Sequence, residues 1–394
     1  PGSAVRMLDI PAVTFQRAYN SVANSTLWFV HHMLYDTPNQ PSFGPAFRRE
    51  WESFRSYNAT FSAALAKGAA EAAPVNFAAE RRSGARESGG SPPGKQSGGS
   101  SPRASTTTKA MVQDYHLPLV PRMLAEHSPD IRIAHFSHTP WAPPDYYRLL
   151  PADVGREVLD GMLGADHAGF LCQRWADAFI ACCAEFLGAE VDPQTSTVRH
   201  RGHDTTVGVH ALGVDAGQLR DRAAAADVQA QVTALSQTTA GRQLIVRVDR
   251  TELSKNIVRG LAAYRELLAS HPEWRGRVTH LAFAYPSRHD LPEYREYTGR
   301  VQRMAAEIMD EFGTDDWDPL ILQVNDDYPR SLAAYQLADV LLVNPIRDGM
   351  NLVAKEGPIL AGRGCALVLS TEAGAAAELG PQAILVNPFD VSQT

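Results

Sequence analysis

Two cations and a few acids, each at the end of an apolar run, are the residues of this chain best placed to do chemistry. Arg250 and Lys255 follow Leu244-Ile245-Val246-Arg247-Val248 and stand five residues apart. An arginine that binds two oxygens at once and a lysine that adds a point charge suit a diphosphate. A solvated surface pair is the plainer reading of the same two residues. Further on, the apolar stretch Val340-Leu341-Leu342-Val343 reads as a buried strand, and Arg347-Asp348-Gly349-Met350-Asn351-Leu352-Val353-Ala354-Lys355-Glu356 leads from it into a helix. Such a strand–turn–helix presents backbone N–H groups and a partial positive charge to an anion. Gly349 lets the main chain approach a ligand closely. Glu356, eight residues after Asp348, can turn its carboxylate toward the same pocket. An ordinary βα loop is the competing reading on position alone. Asp114 in Gln113-Asp114-Tyr115-His116 and His138 in His138-Thr139-Pro140-Trp141 also fall at the carboxyl ends of expected strands. Open α/β sheets bind ligands there, although a lone histidine at a strand end is more often a structural hydrogen-bonder.

The elements that must position these residues are legible in the apolar periodicity. Residues 1 to about 72 read as largely helical, with Phe15, Tyr19 and Leu27-Trp28 in an early stretch and a long amphipathic helix from near Ala46. In that helix Phe47, Trp51, Phe54, Tyr57 and Phe61 recur at steps of three or four and mark one buried face. Residues 75–109 are polar and rich in Gly, Ser and Pro, a composition that reads as a disordered surface insert. Strands are expected at Met111–His116, Ile131–His138, Ala168–Leu171 and Thr206–His210, followed by one alanine-rich helix over about 217–235. A second series of strands is expected at Leu244–Val248, Thr279–Ala284, Leu320–Val324, Val340–Val343 and Ala366–Ser370. Two successive βα series imply an α/β fold of two doubly wound parallel-sheet domains, residues 1–215 and 216–394, facing a central cleft.

Composition narrows the function classes. A 394-residue chain with 44% hydrophobic and 21% charged residues reads as a globular protein of more than one domain. No apolar run reaches the length of a membrane span, and Pro1–Leu8 carries no signal-peptide pattern. Four cysteines without C-x-x-C spacing point to a reducing, cytoplasmic setting. The formal charge of −7 disfavours nucleic acid as a partner. Thirteen histidines show no zinc spacing, so no metal or cofactor is expected. Association into a homo-oligomer is left open.

Taken as a string, Arg347–Glu356 closely resembles the donor-site motif of the trehalose-6-phosphate synthases, glycosyltransferase family 20. The resemblance covers most of residues 12–390, apart from the insert. It implies the GT-B arrangement of two Rossmann-like domains. It also implies a retaining transfer of glucose from UDP-, GDP- or ADP-glucose to glucose 6-phosphate, giving α,α-trehalose 6-phosphate without an enzyme nucleophile. Arg250 and Lys255 would hold the donor diphosphate, with Asp348, Gly349, Met350, Asn351, Leu352, Val353 and Glu356 as the other donor-binding residues. Gln113–His116 and His138–Pro140 resemble two further family motifs, in which Asp114 would contact acceptor hydroxyls and His138 the transferred glucose. Tyr19 and Trp28 match acceptor-side aromatics that helical spacing alone would assign to a core, and Arg288 matches an arginine for the acceptor phosphate. The family's aromatic before the Ser-Lys pair is Leu253 here and its following glycine is Asn256. Family members also carry an N-terminal strand with a Gly-rich loop, and C-terminal helices beyond Asp390. The chain is therefore expected to be a fragment with its central site intact. Two alternatives stand beside this reading: a pseudo-glycosyltransferase joining a cyclitol to an amino-cyclitol phosphate, and a non-catalytic subunit of a trehalose-synthesising complex.

Overall fold

The computed structural model describes residues 5–71, 108–288 and 290–394. The expected insert therefore lies outside the described residues up to 107. Lys109, assigned to it from composition, instead opens the first strand, because it pairs with Arg132 in the neighbouring strand.

Two six-stranded sheets carry the chain. The first holds β1 (Lys109–Gln113), β2 (Arg132–Ser137), β3 (His167–Phe170), β4 (Glu190–Asp192), β5 (Thr197–His200) and β6 (His203–Val209), in the order β1-β2-β3-β6-β5-β4. β1, β2, β3 and β6 are parallel, while β4 and β5 add an antiparallel edge. The second sheet holds β7 (Gln243–Arg250), β8 (Val278–Tyr285), β9 (Leu320–Gln323), β10 (Val340–Val343), β11 (Ala366–Ser370) and β12 (Ile384–Val386). It is parallel throughout, and its order β12-β11-β10-β7-β8-β9 winds outward both ways from β7. Two carboxylates set the registers. Asp339 Oδ2 accepts from the Leu244 N–H (2.8 Å) at the start of β7, and Asp166 Oδ2 accepts from the Ile133 N–H (2.8 Å) in β2.

The early helical stretch runs from Ala12 to His32, and its middle, Gln16–Leu27, winds as a π-helix. Thr26 Oγ1 accordingly donates to the carbonyl of Ser21, five residues back (3.1 Å). Such segments concentrate at functional sites, and this one carries Tyr19 and Asn24. The long helix spans Pro45–Glu71, with proline at its first position. It buries Phe47, Trp51, Phe54 and Tyr57 as its periodicity predicts, while Phe61, expected on the same face, is only half-buried. The single alanine-rich helix expected at 217–235 is two helices, Ala216–Ala223 and Ala226–Thr239. No residue at the break is a local breaker. Ala225 turns to an extended conformation because Leu219 and Ala223 pack on one side of the break and Val228 and Leu235 on the other, with Arg222 bridging to Asp227 (2.6 Å). The β4–β5 hairpin and β12, short and polar or exposed, carry no alternation strong enough to be read from sequence.

Among the described residues no helix is long and apolar enough to cross a membrane.

Candidate functional site

Donor-side residues gather where β7 and β10 end. Lys255 Nζ donates to Asp348 Oδ2 at 2.5 Å, and each of these side chains is only 15% exposed. Burial alone would raise the Asp348 carboxyl and lower the Lys255 ammonium. Burial is the largest single influence on each. The partner's charge and hydrogen bond, with Asn351 beside Asp348 and the carboxylates of Asp249 and Glu252 near Lys255, together outweigh it. Asp348 is left below the ordinary carboxylate range and Lys255 above the usual lysine value. Asp348 Oδ2 also accepts from Asn351 Nδ2 (3.2 Å), and Asn351 Oδ1 accepts from the Ala354 N–H (3.3 Å), capping the helix Val353–Leu360. Asn351 has φ +73°, a conformation that asparagine tolerates better than most residues. Among the described residues, no backbone N–H from Gly349 to Val353 donates to a protein acceptor. Five donors thus remain open at a helix N-terminus beside the Lys255–Asp348 pair, as an anion requires.

Arg250 is the exposed member of the cation pair, with 55% of its side chain accessible. Its Nη1 lies 3.1 Å from Oε1 of Glu252, a fully buried carboxylate that also accepts from Ser287 Oγ (2.8 Å). Asn256, where the family has glycine, adopts φ +58°. Its Nδ2 donates to the carbonyls of Asn344 (2.9 Å) and Pro388 (2.7 Å), so the departure from glycine keeps the left-handed turn and adds two bonds. Glu356 lies half-buried in the first turn of Val353–Leu360, its carboxyl raised by burial. Leu352 and Val353 begin that helix. Met350 is buried in the core at 3% exposure, which leaves its main chain to meet a ligand.

Acceptor-side residues converge from both halves: Asp114 and His138 from the ends of β1 and β2, Tyr19 and Trp28 from the early helical stretch, and Arg288 from the loop after β8. Asp114 follows β1 with φ +69°, its Oδ1 accepting from the His138 N–H (3.1 Å). Burial raises its carboxyl above the usual range, although the N–H groups of Tyr115 and His138 oppose the shift. The Nε2 of His138 bonds to Gln113 Oε1 (2.8 Å). Trp28 lies under the Arg288 guanidinium, 4.0 Å from ring centroid to Cζ. Arg288, at φ +45°, donates to the hydroxyls of Tyr294 (2.8 Å) and Tyr115 (3.0 Å), and Tyr115 donates to Asn24 Oδ1 (2.7 Å). Tyr19 stacks on His116 at 5.0 Å between centroids. His32 stacks on Trp28, and burial pushes it down to about 3, so it stands neutral there. Asp114, Asn256, Arg288 and Asn351 all hold strained left-handed backbone, the kind of strain that collects at working sites.

The halves meet at Gly349. A Cβ there would lie 2.1 Å from the His138 carbonyl oxygen, so the glycine serves a close approach of the opposite half of the chain rather than only of a ligand. Sequence reasoning missed Asn24, Tyr115 and Trp175, which make their site contacts across long separations, and His32 and Glu252, whose full burial no local pattern marks. Among the described residues no three His, Cys, Asp or Glu side chains are grouped to hold a metal ion.

The chain is 35% identical over 286 residues to the bifunctional trehalose-6-phosphate synthase/phosphatase of Thermoproteus tenax, a match covering 72% of this chain and 38% of that protein. It is 31% identical over 384 residues to alpha,alpha-trehalose-phosphate synthase (UDP-forming) 2 of Aspergillus niger, covering 96% of this chain and 70% of that one. The crystal structure of the alpha,alpha-trehalose-phosphate synthase (UDP-forming) of Burkholderia xenovorans in complex with glucose-6-phosphate superposes with a TM-score of 0.81 at 25% identity, over 97% of this chain and 75% of that one. The chain thus spans from about two fifths to three quarters of the length of these relatives. The profile of glycosyltransferase family 20 covers residues 104–394, which include Asp114, His138, Arg250, Lys255 and the whole Arg347–Glu356 string, and the chain belongs to that family.

Proposed function

We propose that this chain carries the central site of a retaining glycosyltransferase, which moves glucose from a nucleotide-glucose to glucose 6-phosphate and forms α,α-trehalose 6-phosphate. The observation that carries the reading is the set of open N–H groups at Gly349–Val353 beside the Lys255–Asp348 pair. A diphosphate seated there gains backbone donors, the helix terminus and Lys255, with the exposed Arg250 free to swing onto its outer oxygens. As the sugar–phosphate bond breaks, charge grows on the diphosphate, and these groups stabilise it more in the transition state than in the ground state. Asp114 accepts from an acceptor hydroxyl, and Arg288 over Trp28 offers its charge to the acceptor phosphate. No side chain is required as a nucleophile if a diphosphate oxygen takes the acceptor proton on the same face.

The two domains divide at about residues 215/216, and no divalent metal is needed, because Arg250 and Lys255 supply the positive charge. The four cysteines are free thiols, in keeping with a cytoplasmic protein, where both substrates would be found. The names of the relatives favour UDP-glucose as the donor. The test is turnover with UDP-, GDP- and ADP-glucose against glucose 6-phosphate, before and after exhaustive chelation, with the product anomer read by NMR. Net formation of α,α-trehalose 6-phosphate that survives chelation is expected. An inverted product, or use of an amino-cyclitol phosphate in place of glucose 6-phosphate, would overturn the assignment.

A further inference from the structure

The donor loop is held from outside its own sheet. Trp175, in the first turn of the helix Gln173–Leu187, belongs to the half that carries the first sheet. Its indole Nε1–H donates to the carbonyl of Gly349 at 2.9 Å, across 174 residues of sequence. Both residues are buried, Trp175 to 1% exposure. Among the described residues no other group donates to that carbonyl. The indole face is used as well. The Arg347 guanidinium lies over it at 4.7 Å and that of Arg174 at 5.1 Å. Both arginines reach Glu372 Oε2, at 3.3 and 2.8 Å, and Arg347 Nη2 also donates to the Trp141 carbonyl (3.4 Å). On the same loop, the place where Gly349 would carry a Cβ is filled by the His138 carbonyl. Residues 347–349 are therefore clasped by three segments of the opposite half: 138, 141 and 174–175.

We infer that Trp175 is a positioning residue, which aligns the open N–H groups of Gly349–Val353 with a donor diphosphate by fixing the Gly349 peptide. The inference rests on the proposed donor site. Fixing that peptide's carbonyl end fixes the direction of the next N–H, that of Met350, since the two share one plane. Asp348 precedes the same glycine, so the Lys255–Asp348 pair is held in register with it. Without the indole N–H the buried carbonyl has lost its partner, and the loop can recover one only by turning away from the pose that receives the anion.

The experiment compares wild type with Trp175→Phe, which keeps an aromatic ring beneath Arg347 and removes the N–H donor along with the second ring of the indole. UDP affinity is read by titration calorimetry, and the kinetic constants for each substrate are read separately. The expected result is about a tenfold loss of UDP affinity and of donor kcat/KM, the size of one lost bond to a buried carbonyl. The acceptor KM should be unchanged. In the Gly349→Ala background, where the seam is already forced open, the same change should cost less than twofold, since both act on one contact. Equal UDP affinity in wild type and Trp175→Phe, or equal losses for donor and acceptor, would overturn the assignment. Wild type that binds UDP but transfers no glucose would remove the proposed reaction, while a tenfold binding loss in the variant would still uphold Trp175 as the positioning residue.

Discussion

Replacing Lys255 with alanine removes the ammonium from a carboxylate that the fold has buried, and the consequence can be worked out in two ways. Breaking a buried pair by deleting one partner costs about 3–5 kcal/mol, since the remaining charge is left uncompensated. Asp348 keeps one weak bond from Asn351 Nδ2 at 3.2 Å, which favours the lower end of that range. The second route sets a ceiling. The stranded carboxyl can take up a proton, and from an ordinary value of 3.8 this costs about 4.4 kcal/mol at pH 7, at about 1.36 kcal/mol per pH unit. Both routes lead to a deficit of about 3–4 kcal/mol at neutral pH. They also fix its sign with pH. In the wild type the Lys255 charge holds Asp348 below 3.8, so the pair's contribution is present above that value and is lost only on further acidification. In Lys255→Ala burial, the largest influence on Asp348, is opposed chiefly by the weak Asn351 bond and raises the carboxyl, so the folded variant binds a proton more tightly than its unfolded chain. The ceiling then falls to about 1.6 kcal/mol at pH 5. Urea unfolding of wild type and variant at pH 7 and pH 5 measures the difference directly. Lys255→Ala/Asp348→Asn should regain most of the stability, yet neither variant should regain turnover, which is expected to fall at least about 100-fold. A deficit under about 1 kcal/mol at pH 7, or one that grows on acidification, would refute the buried-pair reasoning. Recovery of turnover in the double variant would refute the role of Lys255 at the diphosphate.

Arg250→Ala should separate the two cations, because its side chain is 55% exposed and Glu252 keeps its bond from Ser287 and the nearby charges of Lys255 and Arg288. Turnover should fall about 100-fold while the urea midpoint stays near that of the wild type, and near-native kcat in this variant would remove Arg250 from the mechanism. Acid should destabilise the wild type well before its carboxylates titrate. Burial holds His31, His32 and His280 down to about 3 and His116 and His135 to about 4, against an ordinary 6.5. The unfolded chain binds these protons first, so stability falls as pH drops from 6.5 toward the folded values, by about 1.4 kcal/mol per histidine one unit below 6.5. A thermal midpoint that stays flat from pH 7 to 5.5 would show that these rings are not buried in neutral form.

What the sequence determined by itself is whatever a short window encodes. The apolar runs that became β7, interrupted by the buried Arg247, and β10 are rich in β-branched and aliphatic residues because a parallel strand is covered on both faces. Their ends located Arg250 at the last residue of β7, and Lys255 and Asp348 five residues beyond β7 and β10. The steps of three and four from Phe47 to Tyr57 gave one helix face, and Val353–Leu360 began where its turn residues ended. The ten-residue string was specific enough to name a family because a βα turn that binds an anion tolerates few residue types. Tertiary structure decided the partners. Lys255 meets Asp348 across 93 residues because β7 and β10 are neighbours in one parallel sheet, and Trp175 meets Gly349 across 174 because the two halves pack against each other there. No local pattern distinguishes Glu252, which is fully buried in the loop after β7, from Glu356, which is half-buried in the first turn of the helix after β10. The break at Ala225 has no local cause either; neighbouring elements on two sides bend a segment whose own propensity is to continue. Periodicity is a property of a residue's neighbours in the chain. Burial, pairing and close approach are properties of its neighbours in space, which in this chain come from distant segments of the same half, as at Lys255–Asp348, and from the opposite half, as at Trp175–Gly349.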